Sequence, residues 1–539
     1  MARSSQLLAL RRSMMGIGKF SYNHLMRTPQ LLSPPSINYS RQQVRYKSEG
    51  MTGLVVGVYE SENDKDVKLS VGAEKFDDRV GGKLTELVKE FGLKGKLGIG
   101  RIINNLDDEF SCVCVVGLGK EGAGYNHEEV LDMGMENVRV CAAVGARALQ
   151  QQGCDTVHVD GLDYPEQAAE GAALAVWRYT VNKRKTHRLQ TPKLELYGSA
   201  DVEAWTRGLF KAESQNLARR MTDTPANQMS PSIFSQYTMD ALCPCGVTVE
   251  PRHLDWIESM NLNSFLMVAK GSCEPPLILE INYCGSAPED KSILLVGKGL
   301  TFNSGGLCLK PKKGMDEYRG AMSGAAVVVA TIRAAAALSL PINISAVVPL
   351  CESMPSGMAT KPGDVVTLLN GTSMCVKNSD KAGIVMMADP LLYAQANFKP
   401  RLVIDVATLT DGATKGLGES ASALFTTSSF LWKQFKKAGS MTGDRVWRMP
   451  LWKYFDHLVS PAAICDLCNQ GRGPASACLA AAILHTMVPC SDWVHLDTNG
   501  TGMLAKHNVR PYLLKDAMTG RPTRTIIQFL AQMACKEVK

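Results

Sequence analysis

The feature that most constrains this chain is an alternation of short apolar runs with longer helical patterns. The runs at 54–59, 112–116, 157–159 and 194–197 are rich in Val, Leu and Cys and too short for helices, so they read as buried strands. Between them, 130–152 and 168–179 have the length and spacing of helices. Apolar strands alternating with helices give a sheet covered by helical layers. A helix expected at 204–221 ends in the turn-rich string TDTPANQMSPS, after which strand-like runs resume at 277–281, 293–296, 342–348 and 402–406. The small-residue run 324–338 reads as a helix that can pack closely on a sheet. A chain of 539 residues exceeds one ordinary core. The expected division is an N-terminal α/β domain at 52–200, a linking helix and turn at 201–231, and a larger C-terminal domain at 232–539.

Several ordered strings carry a more specific signal. They are RRMTDTPANQMSPSIF at 219–234, VGKGLTFNSGG at 296–306, ESMPSGMATKPGDV at 352–365, NSDKAGIVMMAD at 378–389, DVATLT at 405–410 and MTGRPTRTIIQFL at 518–530. Together they resemble the leucyl aminopeptidases, also called cytosol aminopeptidases, from about Thr52 to the C-terminus. The resemblance implies that the C-terminal domain is an α/β/α sandwich of the zinc-exopeptidase type, with its site at the strand ends. It also implies a hexamer, and a family chemistry that uses two divalent cations, Zn²⁺ or Mn²⁺.

Carried over residue by residue, the family's site is incomplete here. Lys298 stands where the family has a lysine that ligates metal as the neutral amine, and Asp380 keeps a ligand position. Asn303, Ala321 and Ala382 stand where the family has two Asp ligands and one Glu ligand. Lys310 matches the lysine that polarises the scissile carbonyl, whereas Ile384 replaces the arginine that holds a bicarbonate base. Lys381 adds a further positive charge beside Asp380.

Two-metal hydrolysis needs several carboxylates to balance the cations and a bridging water acidified by them. Asn303 offers an uncharged oxygen, and Ala321 and Ala382 offer no ligand. No metal cofactor is therefore expected. Two divalent cations would be needed only if the chain is a working peptidase. Asp380 is expected to pair with a lysine in place of metal, with Lys298 the favoured partner.

The net charge of +7 comes from the N-terminus. Residues 1–48 hold eight Lys and Arg and no acid; taking these from 59 leaves 51 bases against 52 acids. The near-neutral remainder gives no reason to expect nucleic acid or membrane as a partner. No apolar run stands out as long enough to span a bilayer. The leader is Arg- and Ser-rich, with Leu7, Leu10, Met14 and Ile17 on one helical face opposite Arg12 and Lys19. That composition predicts a mitochondrial presequence cleaved near 45–48 and delivery to the matrix. The 16 cysteines are scattered, many in apolar strings, and read as buried reduced thiols. Cys465 and Cys468 make one CxxC without a second pair. GLGKEG at 117–122 lacks a full dinucleotide fingerprint and reads as a strand-to-loop turn.

The leading functional expectation is a catalytically inactive relative with a structural role as a mitochondrial hexamer, homomeric or mixed with paralogues. Among family members it resembles the insect sperm leucyl aminopeptidases, which contribute dense material to the mitochondrial derivatives of the sperm tail. The alternatives are an active two-metal leucyl aminopeptidase and a module that binds small carboxylates in the emptied pocket.

Overall fold

The computed structural model describes residues 50–61, 67–459, 464–489, 492–507 and 510–534. The expected presequence and its cleavage point lie outside these residues.

A first sheet runs, edge to edge, Gly100–Asn104, Cys112–Gly119, Thr52–Tyr59, Thr156–Asp160 and Lys193–Tyr197, with the two-residue Lys68–Leu69 paired onto Thr52–Tyr59. All neighbours on this path are parallel except the antiparallel Gly100–Asn104 edge. Both faces are covered. Val55, Cys114 and Val157 face one core with Cys141 and Ala172 of the helices Met133–Gln152 and Pro165–Val176. Leu54, Val56 and Val113 face the other, with Phe76 and Val88 of the helices Val71–Arg79 and Lys83–Glu90. Cover on both faces explains why the inner strands Thr52–Tyr59 and Cys112–Gly119 contain almost no polar residue.

The second sheet runs Val446–Arg448, Ser422–Phe425, Asp492–Asp497, Leu402–Ala407, Ile293–Gly297, Asn343–Ser353, Leu277–Cys284 and Thr248–Arg252. Its central strands are parallel. Leu294, Val296 and Val403 join one core with the helices Ala382–Phe398 and Ser476–His485. Leu295, Ile404 and Val348 join the other with Ser323–Ala337 and Thr523–Ala534. This is the expected α/β/α sandwich.

Ser323–Ala337 approaches the sheet closely because it begins with small residues. A Cβ at Gly324 would lie 2.0 Å from the Val406 carbonyl oxygen, so only glycine fits. The segment Met315–Ala337 is long and apolar enough to cross a bilayer, contrary to the sequence reading, but 89% of its most apolar window is buried inside the protein. Its composition reflects a core helix walled on all sides.

The 22-residue helix Val202–Asp223 runs between the two sheets. Its buried Arg219 donates to the carbonyls of Leu174, Tyr512 and Thr519. Beside it, Glu170 accepts from Arg139 at 2.8 Å and Arg524 at 2.5 Å. Burial alone would raise the Glu170 carboxyl, but Arg524 and Arg139 hold it below the usual carboxylate range. A buried acid shared by two guanidiniums ties residues of the first layer system to the C-terminal helix.

Candidate functional site

The site forms where the parallel strands of the second sheet end. Lys298 immediately follows Ile293–Gly297, and its N–H bonds the Val406 carbonyl at 3.0 Å. The chain then steps sideways, and Gly299–Asn303 pairs with the end of Asn343–Ser353. That step carries Asn303 to the rim, where its side-chain oxygen accepts from Gly305 N–H at 2.9 Å. Gly305 has φ of +94°, a conformation that favours glycine, so NSGG encodes a tight turn whatever chemistry it serves.

A second loop closes on the first. Ser379 donates to the Gly305 carbonyl and accepts from Cys308 N–H, both at 2.8 Å. Asn303 donates to the Asp380 carbonyl at 3.4 Å, and Asn378 accepts from Asp380 N–H at 2.9 Å. Asn469 supports the same turn, accepting from Lys377 N–H and donating to the Asn378 carbonyl. The Asp380 backbone is therefore held by Asn303 and Asn378, and the turn around it by Asn469.

The charged groups have reorganised. Asp380 pairs with Lys310. The expected partner, Lys298, is otherwise engaged. The Lys310 ammonium also sits 3.9 Å from the Tyr318 ring centroid, so its charge lies between a carboxylate and an aromatic face. Lys298 is 2% exposed, and its amine donates to the Ala321 carbonyl at 3.0 Å, the Thr408 carbonyl at 2.8 Å and the Thr408 hydroxyl at 3.0 Å. Three acceptors match an ammonium's three protons, which is why Lys298 bypasses Asp380. Burial, helped by Lys310, nevertheless pushes its pKa down to about 7, against the pull of Asp497 and Asp380. Burial likewise lowers Lys381, opposed by Asp411 and then Asp380.

The remaining substituted positions contribute no charge. Ala321 offers only its carbonyl, to Lys298. Ala382 and Ile384 are 3% and 2% exposed and belong to the apolar core. A Cβ on the intervening Gly383 would lie 2.6 Å from Lys298 Cε, so the lysine stem fills the space beside that helix start. The recess next to Ala382, lined also by Met267, Thr360 and Ser379, has about 20 Å³, room for little more than one water.

These residues do not fit two divalent cations. Asp497, which acts on Lys298, uses one oxygen on the N–H groups of Leu409 and Asn499 and the other on the Thr410 hydroxyl. Among the described residues, no three His, Cys, Asp or Glu ligand atoms converge at this site. One amine, one carboxylate already paired, and one amide oxygen already bonded are a poor set for Zn²⁺ or Mn²⁺.

Sequence reasoning missed three contributors. Thr408 lies in the quoted DVATLT string, but nothing there marks it as a lysine acceptor. Tyr318 and Asn469 enter from separate parts of the chain, and only the folded arrangement brings them here.

The fold and the strand-end site define a two-domain exopeptidase-like protein. The pattern of the cytosol aminopeptidase family's catalytic domain matches residues 216–527, and that of its N-terminal domain matches residues 55–186. The chain belongs to the cytosol aminopeptidase family. It is 43% identical over 488 residues to the cytosol aminopeptidase of Xenopus tropicalis, covering 89% of this chain and 93% of that one. The Homo sapiens cytosol aminopeptidase is 42% identical over 487 residues, with the same coverage. Among solved structures, the bottromycin maturation enzyme BotP in complex with Mn superposes with a TM-score of 0.77 at 27% identity, covering 90% of this chain and all of that one. A tomato leucine aminopeptidase mutant gives a TM-score of 0.75 at 22% identity, covering 91% of this chain and 95% of that one, a likeness of fold.

Proposed function

We propose that this chain is a family member without peptidase turnover, retained as an assembling body. The observation that carries the reading is the pairing of Asp380 with Lys310. In the resemblance, one of these residues ligates metal and the other polarises substrate. Here the two form an ion pair with each other, while Asn303, Ala321 and Ala382 supply no acid to replace them. Loss of the acidified water and of the arginine position together removes many orders of magnitude of rate. The carboxylate-binding alternative is disfavoured by the same geometry, because Lys298 and Lys310 already hold protein oxygens.

The assembled form is a hexamer, as the resemblance implies, in the mitochondrial matrix, as the acid-free leader implies. Exposed Trp452, Tyr454 and Ile464 supply apolar surface of the kind that contacts between subunits cover. The sperm-tail setting rests on the resemblance to the insect sperm members.

Two measurements test the reading. Leucyl-substrate hydrolysis with added Mn²⁺ or Zn²⁺ should stay at background. Chelator-sensitive turnover like that of an active relative would overturn the inactive assignment. Light scattering on the chain lacking residues 1–48 should give a mass near six subunits, and a mass near one at micromolar concentration would defeat the assembly.

A further inference from the structure

The fold converts the lone CxxC into a three-thiol cluster. Ser373–Cys375 pairs in parallel with Leu467–Cys468, and the register sets Cys375 directly beside Cys468. Cys465 enters from the preceding turn. The three Sγ atoms all lie within 4.8 Å of one another, and those of Cys465 and Cys468 are 3.8 Å apart. Cys375, Cys465 and Cys468 are 2%, 9% and 3% exposed. Three sulfurs bound to one zinc-sized cation at about 2.3 Å are separated by about 4 Å. The apo spacing is therefore within about 1 Å of a ligand shell, whereas a disulfide requires sulfurs about 2 Å apart.

We propose that Cys375, Cys465 and Cys468 bind one thiophilic d¹⁰ cation, Zn²⁺ or Cu⁺, as a trithiolate site distinct from the peptidase position. Soft thiolates select such cations over Mg²⁺, Ca²⁺ or Mn²⁺. Binding replaces up to three S–H protons with metal–sulfur bonds and releases those protons to solvent. Burial and the adjacent Cys468 push the Cys465 thiol up to about 11, so that thiol stays protonated until a cation displaces its proton. The cluster also has a mechanical link to the former active site. Asn469 follows Cys468, its N–H bonds the Cys375 carbonyl at 3.1 Å, and its side chain clamps the Lys377 and Asn378 backbone ahead of Asp380. A cation on the cluster would stiffen that turn.

The test uses the full, reduced, anaerobic chain. Cd²⁺ titration should produce a sulfur-to-metal ultraviolet charge-transfer band that saturates at one equivalent with the intensity of three thiolates. Competition with chromogenic chelators, in separate Zn²⁺ and Cu⁺ arms, identifies the preferred cation. Cys375→Ser should weaken binding at least tenfold, while Asp380→Asn should leave it unchanged. The band in the unmodified chain does not depend on any variant folding. Absence of the band with 100 µM Cd²⁺ would overturn the proposal and leave the thiols as core packing. A Cys465–Cys468 disulfide that persists in the isolated protein would overturn it in favour of a redox pair.

Discussion

Restoring the missing acids should convert the site from a lysine–carboxylate pair back to a metal centre. The perturbation is the triple variant Asn303→Asp, Ala321→Asp, Ala382→Glu. Asn303 is nearly isosteric with Asp and its side-chain oxygen already accepts from Gly305 N–H, but the amide that donates to the Asp380 carbonyl becomes a second acceptor, so that contact must open or take up a cation. Ala321 and Ala382 are 3% exposed, so the two added carboxylates enter a nearly dry space. Without metal each costs on the order of a few kcal/mol, partly offset by Lys298 and Lys310. With free Mn²⁺ or Zn²⁺ at 100 times Kd, each occupied site returns about 2.7 kcal/mol. At about 2 °C per kcal/mol for a domain of this size, one occupied site should raise the melting temperature by about 5 °C. Lys298 must be neutral to ligate, and the added carboxylates raise its pKa above the value of about 7 that burial gives it in the unmodified chain, so affinity should strengthen as pH rises above 7. Differential scanning fluorimetry with and without metal, at pH 6 and pH 8, reads all of this. No single substitution should show the shift, and hydrolysis should remain poor until Ile384→Arg is added. A triple variant with no metal-dependent shift, or an unmodified chain with the same shift, would refute the reasoning.

Other perturbations follow from the same contacts. Glu170→Gln leaves Arg139 and Arg524 buried around a neutral group, and urea unfolding should show a loss of about 3–5 kcal/mol. Lys310→Met should cost about 1–3 kcal/mol, because the Asp380 oxygen that faces Lys310 is buried and is left without a partner; a double-mutant cycle with Asp380→Asn measures the coupling. Burial raises Asp223 to about 6, against the pull of Met518 N–H and Arg319. A raised carboxyl gives stability that is full below the unfolded pKa of about 4 and is lost as pH rises through 6. Asp223→Asn should flatten that part of the stability–pH curve, as followed by chemical denaturation at several pH values.

The strands that form the two sheets' interiors were legible because both faces of each are buried, which leaves an unbroken apolar string. The runs at 277–281, 293–296 and 402–406 fall within Leu277–Cys284, Ile293–Gly297 and Leu402–Ala407. Edge and mixed elements were not legible. Gly100–Asn104 is largely exposed, and Val71–Arg79 and Lys83–Glu90 bury only two or three residues each, so their apolar signal is thin. Asp492–Asp497 carries the buried His495 and Asp497, with Trp493 and His495 bonded to Asp405 of the neighbouring strand, and hides its strand character behind polar residues. At the site, the substituted positions could be read one by one, but the partners could not. Charge alone favoured Lys298 for Asp380. The outcome was decided by backbone carbonyls that the Ala321 and Thr408 positions present to Lys298, and by the Tyr318 ring beneath Lys310. Main-chain acceptors leave no trace in side-chain identity. Cys375 illustrates the same limit, because strand register alone brings it to a CxxC far along the chain.

Asp380 and Lys310 pair with each other where the family resemblance would place cations. Metal analysis of the purified full chain, after exchange into metal-free buffer and re-addition of Mn²⁺ and Zn²⁺, tests this most directly when performed on the Cys375→Ser, Cys465→Ser variant, which removes the thiol cluster. Less than a tenth of an equivalent of metal per chain should be retained. Two tightly held equivalents, lost on Asp380→Asn, would contradict the pairing.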